Sequence, residues 1–396
     1  MTALDSVRRK RTTMILGMNV AALVAIAGIG YVGATALRHY EGAKKVGREF
    51  LPLPVTTVGL LAIADDTGRL AGATLVVSLA GDLPGGYVLP LPTSVDSTLG
   101  QGEERIALTA DFAQGGIESL GLAVESVLGV TLDLRQVVTP TEAEALFQSV
   151  APVTVTLPRE VRDTVDDAQV VQFPSGEAAL SPAQVVQVLT AEVTGEAESA
   201  RRDNINAVWA AVAAATGAGI PGWVAGSPVA TVADLLSRAM AGPMSSRPFA
   251  TVPIAPELNP AGLDVEQLDR PEAVMVLATV APGSMSTPAL GLTYRVQAPP
   301  GYVEEMKAAV AVLLYLGANV RSVDFSGPVM VNSVALLSTE DEQERAAVDN
   351  AVFGTLEFVV NPNPIEGIDV VLQLGTDYLG QGPAALPSTT TTTSIP

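Results

Sequence analysis

The stretch Gly115–Leu157, GGIESLGLAVESVLGVTLDLRQVVTPTEAEALFQSVAPVTVTL, combines two kinds of hydrophobic spacing. Its first part has apolar residues at helical spacing and ends at Gly129, a typical C-terminal helix cap. A strand is predicted over Thr131–Thr139, followed by a short helix over Pro140–Ser149 and an alternating strand over Val153–Leu157. Either Thr139 or Thr141 is predicted to begin the short helix. Alternating helices and strands predict a mixed sheet that is covered by helices, an α/β sandwich.

The same alternation continues on both sides of this stretch. Apolar, β-branched runs bounded by turn residues predict three strands upstream, at Val55–Ala64, Thr74–Ala80 and Tyr87–Pro92. Two helices are predicted downstream, at Ser181–Thr190 and Arg201–Thr216, and the first begins with a Ser-Pro pair that suits a cap and its first helical position. We therefore assign residues 50–242 to one α/β domain.

A second, smaller α/β unit is predicted over residues 289–380. Its pattern reads strand, helix, strand, strand, helix, strand, strand, which is enough for a single core. The segment 243–288 between the two units begins with a Pro-rich, poorly periodic stretch and is interpreted as a linker. Residues 381–396 are rich in Ser, Thr and Pro and are predicted to be a disordered tail.

The N-terminal region contains the uncharged segment Met14–Leu37, which is 24 residues long. At about 1.5 Å per residue, a helix of this length crosses a hydrocarbon core of about 30 Å. Basic residues at 8–11 favour a cytoplasmic location for residues 1–13. We predict a transmembrane helix over 14–37 with the bulk of the chain outside the cytoplasmic membrane. A signal peptide cleaved near Ala34 and Ala36, or a buried hairpin partner, are the alternatives.

The charge balance separates this N-terminal region from the rest. The chain has a net charge of −20, but residues 1–49 hold 8 basic and 3 acidic residues, while residues 50–396 hold 14 basic and 39 acidic ones. So acidic a surface argues against a nucleic-acid partner, because such binding depends on Lys and Arg that neutralise phosphates.

The absence of certain residue types also restricts the chemistry. The sequence has no Cys, and its single His, His39, follows the predicted membrane segment directly. Disulfides, thiol nucleophiles and Cys-based zinc sites are therefore excluded. Ser-His-Asp mechanisms and His-based metal sites are therefore excluded from the region after His39.

The order of features in the opening stretch resembles the LytR-CpsA-Psr (LCP) family of envelope proteins, where a Gly-Gly helix leads through a strand into a short helix and another strand. Pro174-Ser175-Gly176 before Leu180-Ser181-Pro182 is similar to the family's step into its next helix, and Arg201-Arg202 stands where the family has two arginines at the head of a helix. The unit over 289–380 resembles the LytR C-terminal domain, through TYRVQAPPGYVEEMKAAVAVLLYLGANVRSV and the closing strand Asp369–Asp377.

The resemblance implies a transferase that moves glycopolymers from polyprenyl-pyrophosphate carriers onto peptidoglycan. In such a site, arginines hold two phosphates and carboxylates hold Mg²⁺. This sequence departs from the family at several of the implied ligands. Thr93 and Ser94 replace an Arg and an Asp, and Ala73 replaces another Asp. The resemblance therefore implies an LCP-like fold whose transferase site is mostly missing.

The candidates that remain for binding lipid phosphate are Asp65, Asp66, Arg105, Arg201 and Arg202. Each also has a plainer interpretation. The two aspartates precede a Thr-Gly pair and suit a tight turn. Arg105 follows two glutamates, as a surface charge would, and the two later arginines suit a solvated first helical turn paired with nearby glutamates. No catalytic residue and no metal ligand is assigned.

We expect a single-pass membrane protein of the cell envelope that binds or scaffolds during cell-wall glycopolymer assembly, without catalysing transfer and without a cofactor. Its expected partners are a polyprenyl-linked glycan or an LCP-like paralogue, with the membrane contacted through the N-terminal helix. One alternative is an active, Mg²⁺-dependent transferase that uses the five candidate residues. The other is a structural surface protein without a ligand.

Overall fold

The structure is a computed structural model that describes residues 50–100, 104–288 and 290–381. The predicted cytoplasmic tail (1–13), transmembrane helix (14–37) and Thr-rich tail (381–396, apart from its first residue) lie outside the described residues and stay predictions. Within the described ranges, no helix has both the length and the hydrophobicity that crossing a membrane requires.

Strands and helices alternate along most of the described chain. The strands are β1 (Val58–Ala64), β2 (Leu70–Ser78), β3 (Gly86–Leu91), β4 (Leu134–Val138), β5 (Val153–Leu157), β6 (Val161–Val165), β7 (Ala168–Phe173), β8 (Gly176–Leu180), β9 (Met244–Ser246), β10 (Thr251–Pro253), β11 (Glu266–Leu268), β12 (Thr293–Gln297), β13 (Asn319–Asp324), β14 (Ser333–Leu337), β15 (Leu356–Val360) and β16 (Val370–Gln373). The helices are α1 (Leu108–Leu128), α2 (Pro140–Phe147), α3 (Pro182–Thr190), α4 (Ser199–Thr216), α5 (Val232–Met240), α6 (Arg270–Val280), α7 (Val303–Tyr315), α8 (Gln343–Asp349) and α9 (Thr376–Leu379).

The central sheet has five strands in the order β4–β1–β2–β3–β9. Strand β1 runs antiparallel to β2 and parallel to β4, and β3 runs antiparallel to β2 and parallel to β9. Side chains of β1 alternate between the two faces, so that Val58 and Leu60 join one hydrophobic core while Leu61 and Ile63 join another. A sheet that is buried on both faces confirms the predicted α/β class for this region.

Helices cover the two faces of this sheet. Helices α1 and α6 contribute to the core that contains Leu60, and helices α2 to α5 contribute to the core that contains Leu61. In the second core, Trp209 of α4 packs edge-to-face against Phe147 of α2, with 5.6 Å between the ring centroids. Helices on both faces of the sheet form the α/β sandwich that the sequence predicts.

The predicted helix start at Ser181 is confirmed, and of the two residues predicted to begin the preceding helix, Thr139 and Thr141, the structure has Thr139. The side chains of Thr139 and Ser181 each accept a hydrogen bond from the backbone N–H three residues later, and a Glu or Gln at that later position completes a capping box. Helix α1 begins earlier than predicted and is interrupted at Gly115 and Gly116. Gly116 has φ 61° and ψ −146°, which other residues avoid. The predicted helix is therefore the second segment of α1, and it ends at Gly129 in the left-handed conformation, as predicted.

The C-terminal sheet has the strand order β13–β12–β16–β14–β15. Strand β12 runs parallel to both of its neighbours, and β14 runs antiparallel to β16. The order of strands and helices predicted for this unit is the order that the structure has. One face of this sheet joins the same hydrophobic core that contains Leu60 of the central sheet.

The segment 243–288, interpreted as a linker, contains β9, β10, β11 and α6. Strand β9 is an edge strand of the central sheet, and α6 packs against α7 and β13. Three-residue strands carry too little periodicity to be recognised in a sequence, which is why this stretch looks irregular. Strand β9 and helix α6 are therefore packed parts of the structure, and the predicted domain boundaries stay predictions.

Candidate functional site

A cleft of 580 Å³ opens where β3, the start of α1, the start of the β6–β7 hairpin and the start of α4 meet. It is lined by Arg69, Leu70, Thr93, Ser94, Thr109, Ala110, Ala113, Arg159, Glu160, Val161, Arg162, Ala191, Glu192, Val193, Glu196, Ala197, Glu198, Ala200, Arg201, Asn204 and Asp264. Its volume lies within the range of about 300–1,000 Å³ that is usual for small-ligand sites. Three positions that the sequence singles out line this cleft: Thr93, Ser94 and Arg201.

Arg201 lies in the wall of this cleft, in the first turn of α4. Its Nη2 donates to the carbonyl oxygen of Ala71 at 2.7 Å and its Nη1 to that of Ala191 at 3.3 Å. Its Nε is buried without a hydrogen-bond partner among the described residues. Within the part of the chain that the structure describes, Arg201 makes no ion pair, so its charge remains open to a ligand.

Arg202, the next residue, is engaged by carboxylates. Its Nη2 donates to Glu198 and lies 2.5 Å from Oε2 of Glu266, and its Nη1 donates to the Thr251 hydroxyl at 2.6 Å. Ser94 accepts from the same Nη2 at 3.2 Å and donates to Glu198 at 3.2 Å. The side chains of Arg202, Glu198 and Glu266 are only 15%, 9% and 19% exposed, so this group is largely shielded from water.

The protonation of Arg202 reflects these partners. Burial alone would lower the pKa of the guanidinium, but hydrogen bonds and charge from Glu198, and then from Glu266, outweigh it and raise the pKa above its ordinary value. Two carboxylates therefore occupy the positions around Arg202 that an anionic ligand would take. The sequence also allowed these arginines to pair with nearby glutamates in a solvated helical turn. Arg202 does pair with Glu198, but the pair is largely buried rather than solvated.

Arg105 is not among the residues that line the cleft, and it is not a surface charge. It is buried, with Nη1 3.3 Å from Oδ2 of Asp96 and Nε 2.9 Å from the carbonyl oxygen of Leu258. The Asp96 side chain is 1% exposed. The surface interpretation is therefore wrong, because the preceding glutamates do not determine where the side chain packs. A buried ion pair of this kind holds the β3–α1 connection to the segment at Leu258.

Asp65 and Asp66 form the turn that the sequence predicts between β1 and β2. Asp65 accepts hydrogen bonds from the backbone and hydroxyl of Thr67 and from Arg69, at 2.7 to 3.0 Å. Burial alone would raise the pKa of Asp65, but these hydrogen bonds, that of Thr67 first, lower it below its ordinary value. Asp66 is exposed, and neither aspartate lines the cleft. Asp65 forms an ion pair with Arg69, and Arg69 lines the cleft.

The positions at which the sequence departs from the LCP pattern lie together beside the two arginines. Thr93 and Ser94 line the cleft, and Ala73 lines a small recess next to it that Arg201 and Arg202 also border. None of Thr93, Ser94 and Ala73 supplies a carboxylate, the protein group through which Mg²⁺ is usually held. Among the described residues, no group of three or more acidic side chains is arranged to hold a metal ion.

Several residues of this site were not found by sequence reasoning. Glu266 and Thr251 reach Arg202 from the β10–β11 hairpin, and Arg162 of the β6–β7 hairpin binds Glu196 across the cleft at 3.0 Å. No local pattern marks these contacts, since the partners lie on separate elements.

Comparison with solved structures finds several matches. They include the LytR-Csp2A-Psr enzyme of Actinomyces oris (18% identity, 58% of this chain and 94% of that chain, TM-score 0.39) and Bacillus subtilis TagV (12%, 56% and 94%, 0.38). A third is the LytR-CPS2A-Psr protein YwtF (TagT) with bound octaprenyl pyrophosphate lipid (16%, 58% and 90%, 0.37). The chain is similar to LytR-CpsA-Psr proteins.

This similarity agrees with the family resemblance seen in the sequence. No model of a protein family and no curated protein matches the chain. At the identities and TM-scores given above, the likeness says nothing about what the cleft of this chain binds.

Proposed function

We propose that this chain is a membrane-anchored protein of the cell envelope. Its LCP-like domain binds a ligand or serves as a scaffold, and it does not transfer a glycopolymer. The single observation that carries the proposal is the state of Arg202, which two carboxylates and Ser94 surround at the position where the resemblance implies a phosphate ligand. A pyrophosphate that approached this guanidinium would have to displace Glu198 and Glu266 or lie against them. Like charges in such a shielded setting repel strongly.

The remaining chemistry of the cleft supports the same conclusion. Phosphate recognition depends on charge-assisted, bidentate hydrogen bonds from arginine, which Thr93 and Ser94 do not supply. The cleft also carries more carboxylates than guanidinium groups along its wall. A ligand with two or three negative charges is poorly matched to this surface.

The partners proposed for the protein are a polyprenyl-linked glycan or an LCP-like paralogue. The resemblance of the sequence to LCP proteins is the reason to place this class of ligand first, and YwtF (TagT) itself holds octaprenyl pyrophosphate lipid. The uncharged segment Met14–Leu37 and the basic residues before it support an anchor that leaves the bulk of the chain outside the cytoplasmic membrane.

The test is the binding of a short polyprenyl pyrophosphate to the full chain in detergent, with and without Mg²⁺. Single Arg201→Ala and Arg202→Ala variants are compared with Arg159→Ala, an exposed cleft arginine, as the matched control. We expect binding that does not depend on Mg²⁺ and does not change in Arg202→Ala. Tight, Mg²⁺-dependent binding that Arg202→Ala abolishes would support an active transferase instead. Absence of any binding would favour a scaffold or a structural surface protein.

A further inference from the structure

Most charged side chains in the wall of the cleft are paired within the described ranges. Arg159 lies 3.1 Å from Asp203, and Arg162 lies 3.0 Å from Glu196 and 3.3 Å from Glu160. Arg69 is held by Asp65, and Glu198 by Arg202. The pairs of Arg159 and Arg69 are neutral, whereas Arg162 and Arg202 each face two carboxylates, so these groups together carry a net negative charge.

Three charged side chains of the wall are left, and the described part of the chain gives them no ion pair: Arg201, Glu192 and Asp264. Arg201 donates only to backbone carbonyl oxygens and retains a buried, unpartnered Nε. The side chains of Glu192 and Asp264 are exposed to the cleft. The open charges are thus one cation and two anions.

The surrounding structure fixes these three residues close to one another. Arg201 Nη1 bonds the carbonyl oxygen of Ala191, the residue directly before Glu192. Glu192 is held by its own backbone, whose N–H donates to Asp163 at 3.2 Å and whose carbonyl oxygen accepts from the N–H of Thr164 at 3.1 Å. The β6–β7 hairpin therefore fixes the position of Glu192 beside the guanidinium.

Asp264 is placed by the same helix that carries Arg201. Its Oδ2 accepts the N–H of Glu198 at 2.8 Å, at the start of α4 and three positions before Arg201. Only one of its oxygens is used in this bond, which leaves the other for a donor in the cleft. The cation and the carboxylates that the described residues leave unpaired therefore line one cavity.

We propose that the cleft binds a zwitterionic ligand of short-peptide size, with a carboxylate on Arg201 and an ammonium group against Glu192 and Asp264. The proposal rests on the proposed function, because it needs a binding cleft that does not clamp pyrophosphate. A single carboxylate matches a single guanidinium without an ion pair among the described residues, since each Nη of Arg201 has a second N–H besides the one that bonds a backbone carbonyl oxygen. An ammonium donor satisfies the acidic side of the cavity, which would repel a polyanion.

The test uses the full chain in detergent and isothermal titration with N-acetyl-alanyl-alanyl-lysine. Two matched peptides remove one charge each: the C-terminal amide lacks the carboxylate, and the norleucine peptide lacks the ammonium group. The protein variants are Arg201→Gln and Glu192→Gln, with Arg159→Gln as the control because that arginine lines the cleft but is paired with Asp203. Glu192 is exposed, so its variant gives a readout that does not depend on the packing of Arg201.

We expect the lysine peptide to bind about 10- to 100-fold more tightly than its amide, as one charge-assisted contact implies. Arg201→Gln should remove this difference, Glu192→Gln should reduce the preference for lysine over norleucine, and Arg159→Gln should preserve both. Equal binding of the acid and the amide, or no binding at millimolar peptide, would overturn the inference.

A separate titration with inorganic pyrophosphate keeps the two proposals apart. Failure of the peptide together with weak, Mg²⁺-independent pyrophosphate binding would reject only the zwitterionic ligand. Tight, Mg²⁺-dependent pyrophosphate binding that requires Arg202 would reject the proposed function, and the zwitterionic ligand with it.

Discussion

Replacing Glu198 and Glu266 together by glutamine should expose how Arg202 is held. The substitutions preserve side-chain shape and remove both negative charges that contact the guanidinium. Within the described residues, Arg202 would then have only the neutral oxygens of Thr251 and Ser94 and the two new amides as partners. A largely buried cation without a carboxylate is costly, because few solvent dipoles reach it.

The size of the effect follows from the burial of the three side chains. Removal of one carboxylate leaves the other in place and costs about 1.5–3 kcal/mol, the usual value for a hydrogen bond to a charged group. Removal of both breaks a buried ion pair and costs about 3–5 kcal/mol. At about 2–4 °C per kcal/mol, the melting temperature of the double variant should fall by roughly 6–20 °C.

The assay is thermal unfolding of the full chain with and without inorganic pyrophosphate, at constant ionic strength. In the double variant the guanidinium is free to take an external anion, so pyrophosphate should restore part of the lost stability. A ligand at 100 times its Kd adds about 2.7 kcal/mol. The unmodified chain should show little stabilisation, because its own carboxylates already occupy this position.

Glu118→Gln provides a matched control. Arg135 also binds two carboxylates, those of Glu118 and Glu125 at 2.8 Å each, but the Glu118 side chain is 75% exposed. Its loss should therefore change the stability by no more than about 1 kcal/mol and should not create a response to pyrophosphate. The reasoning is refuted if pyrophosphate stabilises the unmodified chain as much as the double variant, or if the double variant melts like the unmodified chain.

Two further predictions concern Arg105 and Asp324. Arg105→Met should destabilise the fold by about 3–5 kcal/mol, because Asp96 stays buried without its cationic partner. Calorimetric titration of this variant should find pyrophosphate binding unchanged. Weaker pyrophosphate binding in a folded variant would show that Arg105 is a ligand after all. Burial alone would raise the pKa of Asp324, but hydrogen bonds from Ser326 and Arg295 outweigh it and lower the pKa to about 2. The folded pKa lies below the unfolded one, so the carboxylate stabilises the fold above about pH 4 and this contribution is lost towards pH 2. After allowance for solvent screening, Asp324→Asn should cost about 1–2 kcal/mol at pH 5 and less at pH 3 in urea unfolding, and an equal cost at both pH values would contradict the assignment.

Much of the fold was predictable because local patterns determine local structure. Strand β5 has the predicted bounds, and the caps at Thr139 and Ser181 are formed by side chains within three residues of the helix start. Helix α5 and the β6–β7 hairpin were not predicted. Strand β7 is exposed along most of its length and therefore lacks the alternation of buried and exposed residues that marks a strand.

The candidate site was predicted less completely than the fold. Arg201 and Arg202 do lie beside Thr93, Ser94 and Ala73, as the order of motifs implied. Adjacent in sequence, the two arginines differ in the structure, since one meets backbone carbonyl oxygens and the other meets carboxylates. Their position in the first turn of a helix is compatible with either arrangement.

By itself, the sequence determined the alternation of strands and helices, the acidic balance of residues 50–396, and the absence of thiol and histidine chemistry from that region. These properties depend on composition and on spacing over a few residues. Only the tertiary structure decided which charges neutralise each other. Glu266 reaches Arg202 across 64 residues and Ser94 reaches it across 108, and contacts over such separations depend on how the elements pack. That packing leaves Arg201 without a carboxylate partner among the described residues, while Arg202 is surrounded by them.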